Sequence, residues 1–524
     1  MKSKLFTFSF LLLSFSSLAQ IPTIDWKKCY GGTKNDALES IKQTPDGGFI
    51  MLSTTYSSDG DVTSIHGGAN DTDIWVAKLD GLGNIEWQKS IGGTQQDFGA
   101  DIELTNDGGY IIAGRTYSSN GDSTFTYGGQ DAWIIKITST GEITWQKTFG
   151  GNGADAAYDI IQTSDGGYIF AGFAGGSGGI VTNFMGFRDG WIVKITNSGT
   201  LVWQKTLGGT QEDYAFKIIE TNGGYIVGCQ AYSSNLQVVG NHGADDFWLV
   251  RLNTTGAITW SRCYGGNNSE QLNDFIATND NGYIMVGNAD GNDGDVLGYH
   301  NPGTGNFGVK DDYLAIKIDQ AGNILWQKCY GGSDNDMAQR VTNTPDGGFA
   351  ITGYSDSNNG DNNSFFTFNG WDYWLVKING NGNIQWQETY GGSSKDAGID
   401  ILSKNNGGLL LAGFTESNDQ HVTGNKGLND IWIVNLENFQ LGNNDFVSTK
   451  IKLSQNPVNS LLRIENSNLF SSEITIYDVL GKKILSGLLQ NGEFKVSNLK
   501  NGMYILELQN ENYNSIKTKF IKNN

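Results

Sequence analysis

The side chains of this 524-residue sequence that could do chemistry are few and scattered. Four histidines, His66, His242, His300 and His421, each stand in a polar, Gly-rich stretch. In the same kind of stretch lie Asp59, Asp61, Asp71, Asp122, Asp245, Asp293, Asp295, Asp361 and Asp419. Asp59-Gly60-Asp61 and Asp293-Gly294-Asp295 offer hard carboxylate oxygens of the kind that hold Ca²⁺. Asp in such loops equally caps turns through its side chain, so Asp59, Asp61, Asp293 and Asp295 are candidates for either role. Phe365, Phe366, Phe368 and Trp371 form an aromatic cluster suited to stacking on sugar rings or to packing against neighbouring structure. Phe125, Tyr127, Phe187 and Tyr299 lie in comparable stretches.

Enzyme signatures are sparse. No Gly-x-Ser-x-Gly, His-Glu-x-x-His or phosphate loop occurs. Thr44-x-Asp46-x-Gly48 mimics the start of a sialidase Asp-box, but the Trp that should follow is missing. A carboxylate clamp needs clustered arginines, and only five lie between residues 21 and 440. Two of these, Arg251 and Arg262, take places that other copies of a repeat fill with Lys. Catalysis by two dispersed carboxylates stays open.

The elements that must position these residues are repeats. Trp26, Trp87, Trp145, Trp203, Trp260, Trp326 and Trp386 each begin a Trp-x-[Lys/Arg/Glu]-x-x-Gly-Gly unit, at a mean spacing of 60 residues. A second mark, Asp-x-Trp, recurs at Trp75, Trp133, Trp191, Trp248, Trp374 and Trp432, with Leu314 as the one substitute. A third is the turn Asp46-Gly47-Gly48, found again at 107–109, 165–167 and 346–348 and loosened elsewhere to Asn-Gly. Each unit reads as four short strands; in the second copy they are Asp97–Leu104, Tyr110–Tyr117, Asp131–Thr138 and Glu142–Phe149. The Asp-Gly-Gly turn supplies positive φ for a tight hairpin. Four strands every 60 residues, with Gly and aromatics recurring in place, predict a seven-bladed β-propeller rather than a β-solenoid, whose coils are shorter. The repeated Trp residues then pack blade against blade.

Phase settles how the ring closes. The first copy begins with an orphan strand, Ile24–Tyr30, and the last ends with another, Asp430–Leu436. Pairing them gives all seven blades four strands, whereas an open ring would leave a bare sheet edge. In this geometry the Asp-Gly-Gly turns share one face, and the long connectors that hold the His, Asp and Phe candidates gather on the other. Binding residues collect on loops held by a rigid scaffold, so the long-connector face is the expected site.

Composition sets the outer limits. The 35 Lys+Arg against 55 Asp+Glu give a net charge of −20, which excludes nucleic acid as a partner. Met1–Ala19 has Lys2 and Lys4, an apolar stretch Leu5–Phe15 and a small-x-small site, the form of a signal peptide cut between Ala19 and Gln20. No later stretch is long and apolar enough to span a membrane. Cys29, Cys263 and Cys329 share one repeat position that Ser or Thr fills in other copies, so they read as small fillers rather than disulfide halves.

From about Val447 the repeat stops and the charge changes sign: residues 447–524 hold 10 Lys+Arg and 6 Asp+Glu, against a net −26 for residues 21–446. Residues 441–449 read as a linker, and the strands expected beyond it suggest a small Ig-like β-sandwich. Lys78-Leu79-Asp80, Gly83 and Trp87 resemble the units of quinoprotein-like propellers, which implies the fold of residues 20–440 without a quinone ligand set. Leu453-Ser454-Gln455-Asn456-Pro457, Ile474-Thr475-Ile476-Tyr477-Asp478-Val479-Leu480-Gly481-Lys482, Leu499-Lys500-Asn501-Gly502-Met503-Tyr504-Ile505 and a Lys-rich last strand resemble the type A C-terminal sorting domain of type IX secretion cargo over residues 450–524. That resemblance implies passage through the periplasm, handling by the type IX machinery, removal of the domain, and release or attachment at the outer surface. The expected protein is all-β, exported and monomeric, requires no cofactor, and binds an extracellular glycan or protein at its loop face. A carbohydrate-active hydrolase or lyase and a purely structural surface component are the alternatives.

Overall fold

The computed structural model describes residues 21–68, 70–300, 310–362, 370–404, 406–438, 453–454, 456–464, 473–478, 482–510 and 513–523. Every regular element among them is a β-strand. The described residues of 21–438 and those of 453–523 form separate compact units.

The larger unit is seven four-stranded antiparallel sheets. Blade 1 runs Asp36–Gln43, Phe49–Thr55, Asp73–Leu79 and Ile85–Ile91. Blades 2 to 6 follow the same meander over 97–149, 155–207, 213–264, 270–330 and 336–390. Blade 7 takes its three inner strands from 396–438 and its outer strand from Ile24–Tyr30. That N-terminal strand pairs antiparallel with Asp430–Asn438, from Ile24 opposite Leu436 to Tyr30 opposite Ile431. The two orphan segments therefore close the ring as their phase predicts. The Tyr30 hydroxyl also donates to the Gly83 carbonyl at 2.7 Å, so the closing strand grips blade 1 as well.

Second and third strands are buried on both faces, as a sheet stacked between two others must be. Trp75, Trp133, Trp191, Trp248, Trp374 and Trp432 are fully buried at the sheet interfaces. In four blades the indole N–H is satisfied by the Gln that follows the outer-strand Trp: Trp133 donates to Gln146 at 2.8 Å and Trp191 to Gln204 at 2.8 Å, with Trp75–Gln88 and Trp374–Gln387 alike. Six of the outer-strand Trp residues are half-buried and lie over the last hairpin of the next blade, where Gly141 leaves no room for a Cβ beside Trp87; the seventh, Trp386, is buried. At the inner hairpin Gly47 has φ +87°, and the Asp46 carboxylate pairs with buried Lys78 at 2.9 Å.

The Gly-Gly pair of the repeat marks the blade junctions. At each one an acid opening the third strand of one blade approaches the acid opening the first strand of the next. At the junction of blades 2 and 3 these are Asp131 and Asp155, both fully buried. A Cβ on Gly150 would lie 2.0 Å from Asp131 Oδ1 and 2.7 Å from Asp155 Oδ2. Except for Glu270, whose buried Oε1 also lacks a donor, the first-strand acid is well supplied with donors; Asp97 accepts from the hydroxyls of Thr116 and Ser118 and from the Gly93 N–H. The third-strand acid is not. Asp73, Asp131, Asp189, Asp246, Asp312, Asp372 and Asp430 all carry a buried Oδ1 with no hydrogen-bond donor. Burial pushes the Asp131, Asp189 and Asp430 carboxyls up to about 6, and the neighbouring acid adds to the rise.

All four cysteines are free. Burial raises all four thiols, that of Cys29 to about 12, which suits fillers rather than nucleophiles.

The smaller unit has a four-stranded sheet (Lys483–Leu488, Glu473–Tyr477, Gly502–Asn510, Tyr513–Lys522) and a two-stranded one (Leu461–Arg463, Glu493–Lys495). Leu462, Ile474, Ile476, Val496, Leu506 and Phe520 meet in its core, consistent with a sandwich.

Candidate functional site

Seven first strands line the central channel, and each carries a β-bulge at its fourth residue. A bulge re-aims a side chain and frees it from the ladder. The residue after it ties the ring together, because innermost strands have no lateral partner for their outward N–H groups. Asp159 Oδ2 accepts the Ile218 N–H of the next blade at 2.7 Å, Asp274 Oδ2 that of Val341 at 3.1 Å, and Asp400 Oδ2 that of Ile41 at 3.0 Å. Cations lie between these acids: Lys42 is 2.6 Å from Glu103, and Lys217 is 3.0 Å from Asp159.

Where the channel opens among the long connectors, blades 2 to 5 enclose a cavity of about 420 Å³. Bulged Tyr158 and Phe216 stack with ring centroids 5.4 Å apart, and Tyr214 stacks on Phe216 at 5.9 Å. Phe173 completes this wall, 5.7 Å from Tyr158 and 5.6 Å from Tyr214. Arg115, Arg188, Gln130, Gln230, Gln271 and Tyr232 supply the polar lining. The Arg188 guanidinium lies 5.2 Å from the Phe173 ring and donates to the Tyr214 hydroxyl at 2.7 Å. Arg115 lies over the Phe98 ring at 4.3 Å. The arrangement offers a largely polar lining beside a stack of aromatic rings.

The residues singled out in the sequence go elsewhere. His66, His242 and His300 occupy one repeat position, and each ring Nδ1 is hydrogen-bonded to the third-strand Asp of its own blade: Asp73 at 2.8 Å, Asp246 at 2.7 Å and Asp312 at 2.7 Å. The far nitrogen of His300 is 3.6 Å from Asp361 in the next blade, and that of His66 is 4.0 Å from Asp122. Lys426 fills the same place in blade 7, reaching Asp61 at 2.7 Å. His66, His300 and Lys426 are clasps between neighbouring blades, and His242 braces the third-strand Asp of its own blade. His421 stands where other copies have an acid, with its N–H on the Gly391 carbonyl; burial lowers its tendency to protonate. Asp59 accepts the backbone N–H and the hydroxyl of Thr33, both at 2.8 Å, and Asp293 accepts the backbone and side-chain N–H of Asn267. Asp61 accepts the Gly31 N–H at 3.1 Å, and the Asp295 N–H donates to Gly265. Among the described residues no three His, Cys, Asp or Glu converge as a metal-holding group. Trp371 lies 5.1 Å from Tyr354 with Lys395 over its ring at 4.6 Å. Phe125 and Tyr127 pair edge to face on the surface, and Phe187 is exposed. Phe365, Phe366, Phe368, Ala19 and Gln20 lie outside the described residues.

The cavity was missed because its residues have no motif. A signal was nonetheless present: they are the positions at which the seven copies disagree. The residue before the third-strand Asp is Thr72, Gln130, Arg188, Asp245, Asp311, Trp371 or Asn429. The next-to-last residue of the second strand is Thr54, Arg115, Phe173, Gln230, Asn288, Tyr354 or Phe414. Junction residues barely vary, while these columns change in size, charge and polarity around the ring.

A known family decides the smaller unit: the description "Secretion system C-terminal sorting domain" matches residues 456–523. A type IX sorting domain is present. In front of it stands the seven-bladed propeller, so the chain is a β-propeller protein sorted for the cell surface or beyond. Among curated proteins the chain is similar to "Regulatory protein FlaEY" of Caulobacter vibrioides, 24% identical over 304 residues, covering 51% of this chain and 30% of that one. It therefore spans less than a third of that relative's length. Among solved structures it is similar to the Pan2 WD40 domain of Neurospora crassa, with 10% identity, TM-score 0.42 and coverage of 76% and 88% of the two chains. It is also similar to the plexin A4 extracellular region, with 7% identity, TM-score 0.49 and coverage of 94% and 53%. PorZ, an essential bacterial surface component of the type-IX secretion system of Porphyromonas gingivalis, gives 8% identity, TM-score 0.27 and coverage of 98% and 87%. Among the described residues no helix is long and apolar enough to cross a membrane.

Proposed function

We propose that this chain is an exported binding protein whose channel mouth holds an extracellular glycan. In this reading a signal peptide ending at Ala19 takes the chain across the inner membrane, and the sorting domain engages the type IX machinery at the outer one. The propeller then works as a monomer at the surface or in the medium, without a cofactor. Asp59, Asp61, Asp293 and Asp295 are read as loop caps rather than calcium ligands.

The observation that carries the reading is the cavity wall of Tyr158, Tyr214 and Phe216 beside Gln130, Gln230 and Gln271. A sugar ring presents an apolar C–H face and a rim of hydroxyls, which such a wall and such flat amides complement. The test is a glycan array on the purified full chain, followed by a reducing-end assay on whatever binds. Saturable binding without new reducing ends supports the proposal. Release of reducing ends would make the protein a carbohydrate-active enzyme, and no binding at all would leave it a structural surface component.

A further inference from the structure

Of the five arginines in the propeller, the two that serve as repeat lysines sit on outer hairpins, where Arg262 donates to the Gly322 carbonyl at 2.9 Å and Arg251 to that of Asn222 at 2.9 Å. The remaining three all face the channel. Arg340 belongs to the ring of charges, 3.9 Å from Asp400. Arg115 and Arg188 border the aromatic cavity. In a chain of net charge −20 a guanidinium ordinarily has no difficulty finding a carboxylate, yet Arg115 makes no ion pair among the described residues. Glu39, whose charge Arg115 feels, accepts the Thr54 hydroxyl, and burial pushes its carboxyl up to about 7 against the pull of Arg115 and Arg340. Arg188 shares Glu212 at 3.6 Å and remains two-fifths exposed at the cavity rim. Arg115, lying on an aromatic face with no ion pair, is a fork set for a planar anion, and Arg188 presents the guanidinium edge not taken by Tyr214 and Glu212 beside it.

We propose that the ligand of this mouth is an anionic glycan, a saccharide chain bearing carboxylate or sulfate groups. Arg115 and Arg188 bind its anionic groups, and Tyr158, Tyr214 and Phe216 stack against its rings. The inference rests on the glycan-binding reading above and narrows it to a substrate class. Both anions present flat or three-fold oxygen sets that accept two N–H bonds from one guanidinium. The overall negative charge of the protein opposes an anionic ligand, so the preference has to come from the local arginine pair alone, acting on a short stretch of glycan.

The test is calorimetric titration of the full chain with four probes of equal length: an oligogalacturonate, a sulfated chondroitin oligosaccharide, a neutral manno-oligosaccharide and an oligoglutamate peptide. One or both acidic sugars are expected to bind at least tenfold more tightly than the neutral one, with affinity falling as salt rises. The two acidic arms separate carboxylate from sulfate. Arg188→Gln and Arg115→Gln should each weaken acidic-sugar binding by about ten- to a hundredfold, the range for a lost charged hydrogen bond, at an unchanged melting temperature. Phe216→Ala should weaken acidic and neutral sugars alike. Equal binding of neutral and acidic sugars would overturn the anion inference and leave the glycan reading standing. Binding of the peptide alone, or of none of the four, would overturn both.

Discussion

Asp131 offers the sharpest test of the junction chemistry. Its Oδ2 accepts the Tyr127 N–H at 2.7 Å, while its buried Oδ1 has no donor and faces the carboxylate of Asp155. Burial, assisted by the charge of Asp155, raises its carboxyl from 3.8 to about 6 against the pull of the Tyr127 and Gly128 N–H groups. Such an acid gives up its proton later in the fold than in the unfolded chain. It therefore has no effect on stability below about pH 4, where it is protonated in both states. Between pH 4 and 6 the unfolded chain ionises first and stability falls, and above pH 6 the loss is complete. A rise of about two units corresponds to about 3 kcal/mol. Asp131→Asn keeps the shape, cannot ionise, and puts an N–H where Oδ1 now lacks a donor. The variant should match the parent near pH 4 and exceed it by about 3 kcal/mol at pH 7.5. Guanidinium titrations followed by Trp fluorescence at both pH values measure this directly. A variant equally or less stable than the parent at pH 7.5 would refute the reasoning, because it would mean that the carboxylate is ionised and satisfied in the fold.

Three further expectations concern the scaffold. Gly150→Ala drives a Cβ into Asp131 and Asp155 and should cost about 3 kcal/mol, whereas Gly108→Ala, at φ +82° with open space around it, should cost about 1 kcal/mol; equal losses in denaturant titrations would show that φ alone sets the demand for glycine. His300 is raised above its ordinary value by its hydrogen bond to Asp312, against burial, with the charges of Asp312 and Asp361 assisting. Its clasp therefore stabilises the fold below about pH 6.5 and fades as pH rises through the raised value, so His300→Gln should lower the melting temperature at pH 5.5 and match the parent at pH 9. Deleting residues 20–32 removes the outer strand of blade 7 and should replace a cooperative melt with an aggregating or molten species; calorimetry showing an unchanged transition would contradict closure by that strand.

The fold was legible because the residues that build it recur. The buried Trp of Asp-x-Trp, the Gly-Gly at each junction and the phase of the two orphan strands each answer one packing demand seven times over. The same logic hid the site. His66, His242 and His300 stand out as rare residues in long connectors, but they share one repeat position and hold the third-strand Asp of their own blade, with His66 and His300 reaching the next blade as well. Tyr158 and Phe216 reach the cavity because a bulge breaks the strict alternation of the strand, and no reading of alternation foretells a bulge. Arg115 and Arg188 differ from their counterparts in every other copy, which becomes meaningful only once the columns are known to meet at one mouth.

The join between Ile24–Tyr30 and Asp430–Asn438 also sets an order of events. The earliest strand to emerge must wait, unpaired, until the latest one arrives some four hundred residues on. The export address lies directly beyond that last strand, at residues 456–523. A chain cut short before Asp430 is therefore short of two things at once, the strand that completes the circle and the sorting domain.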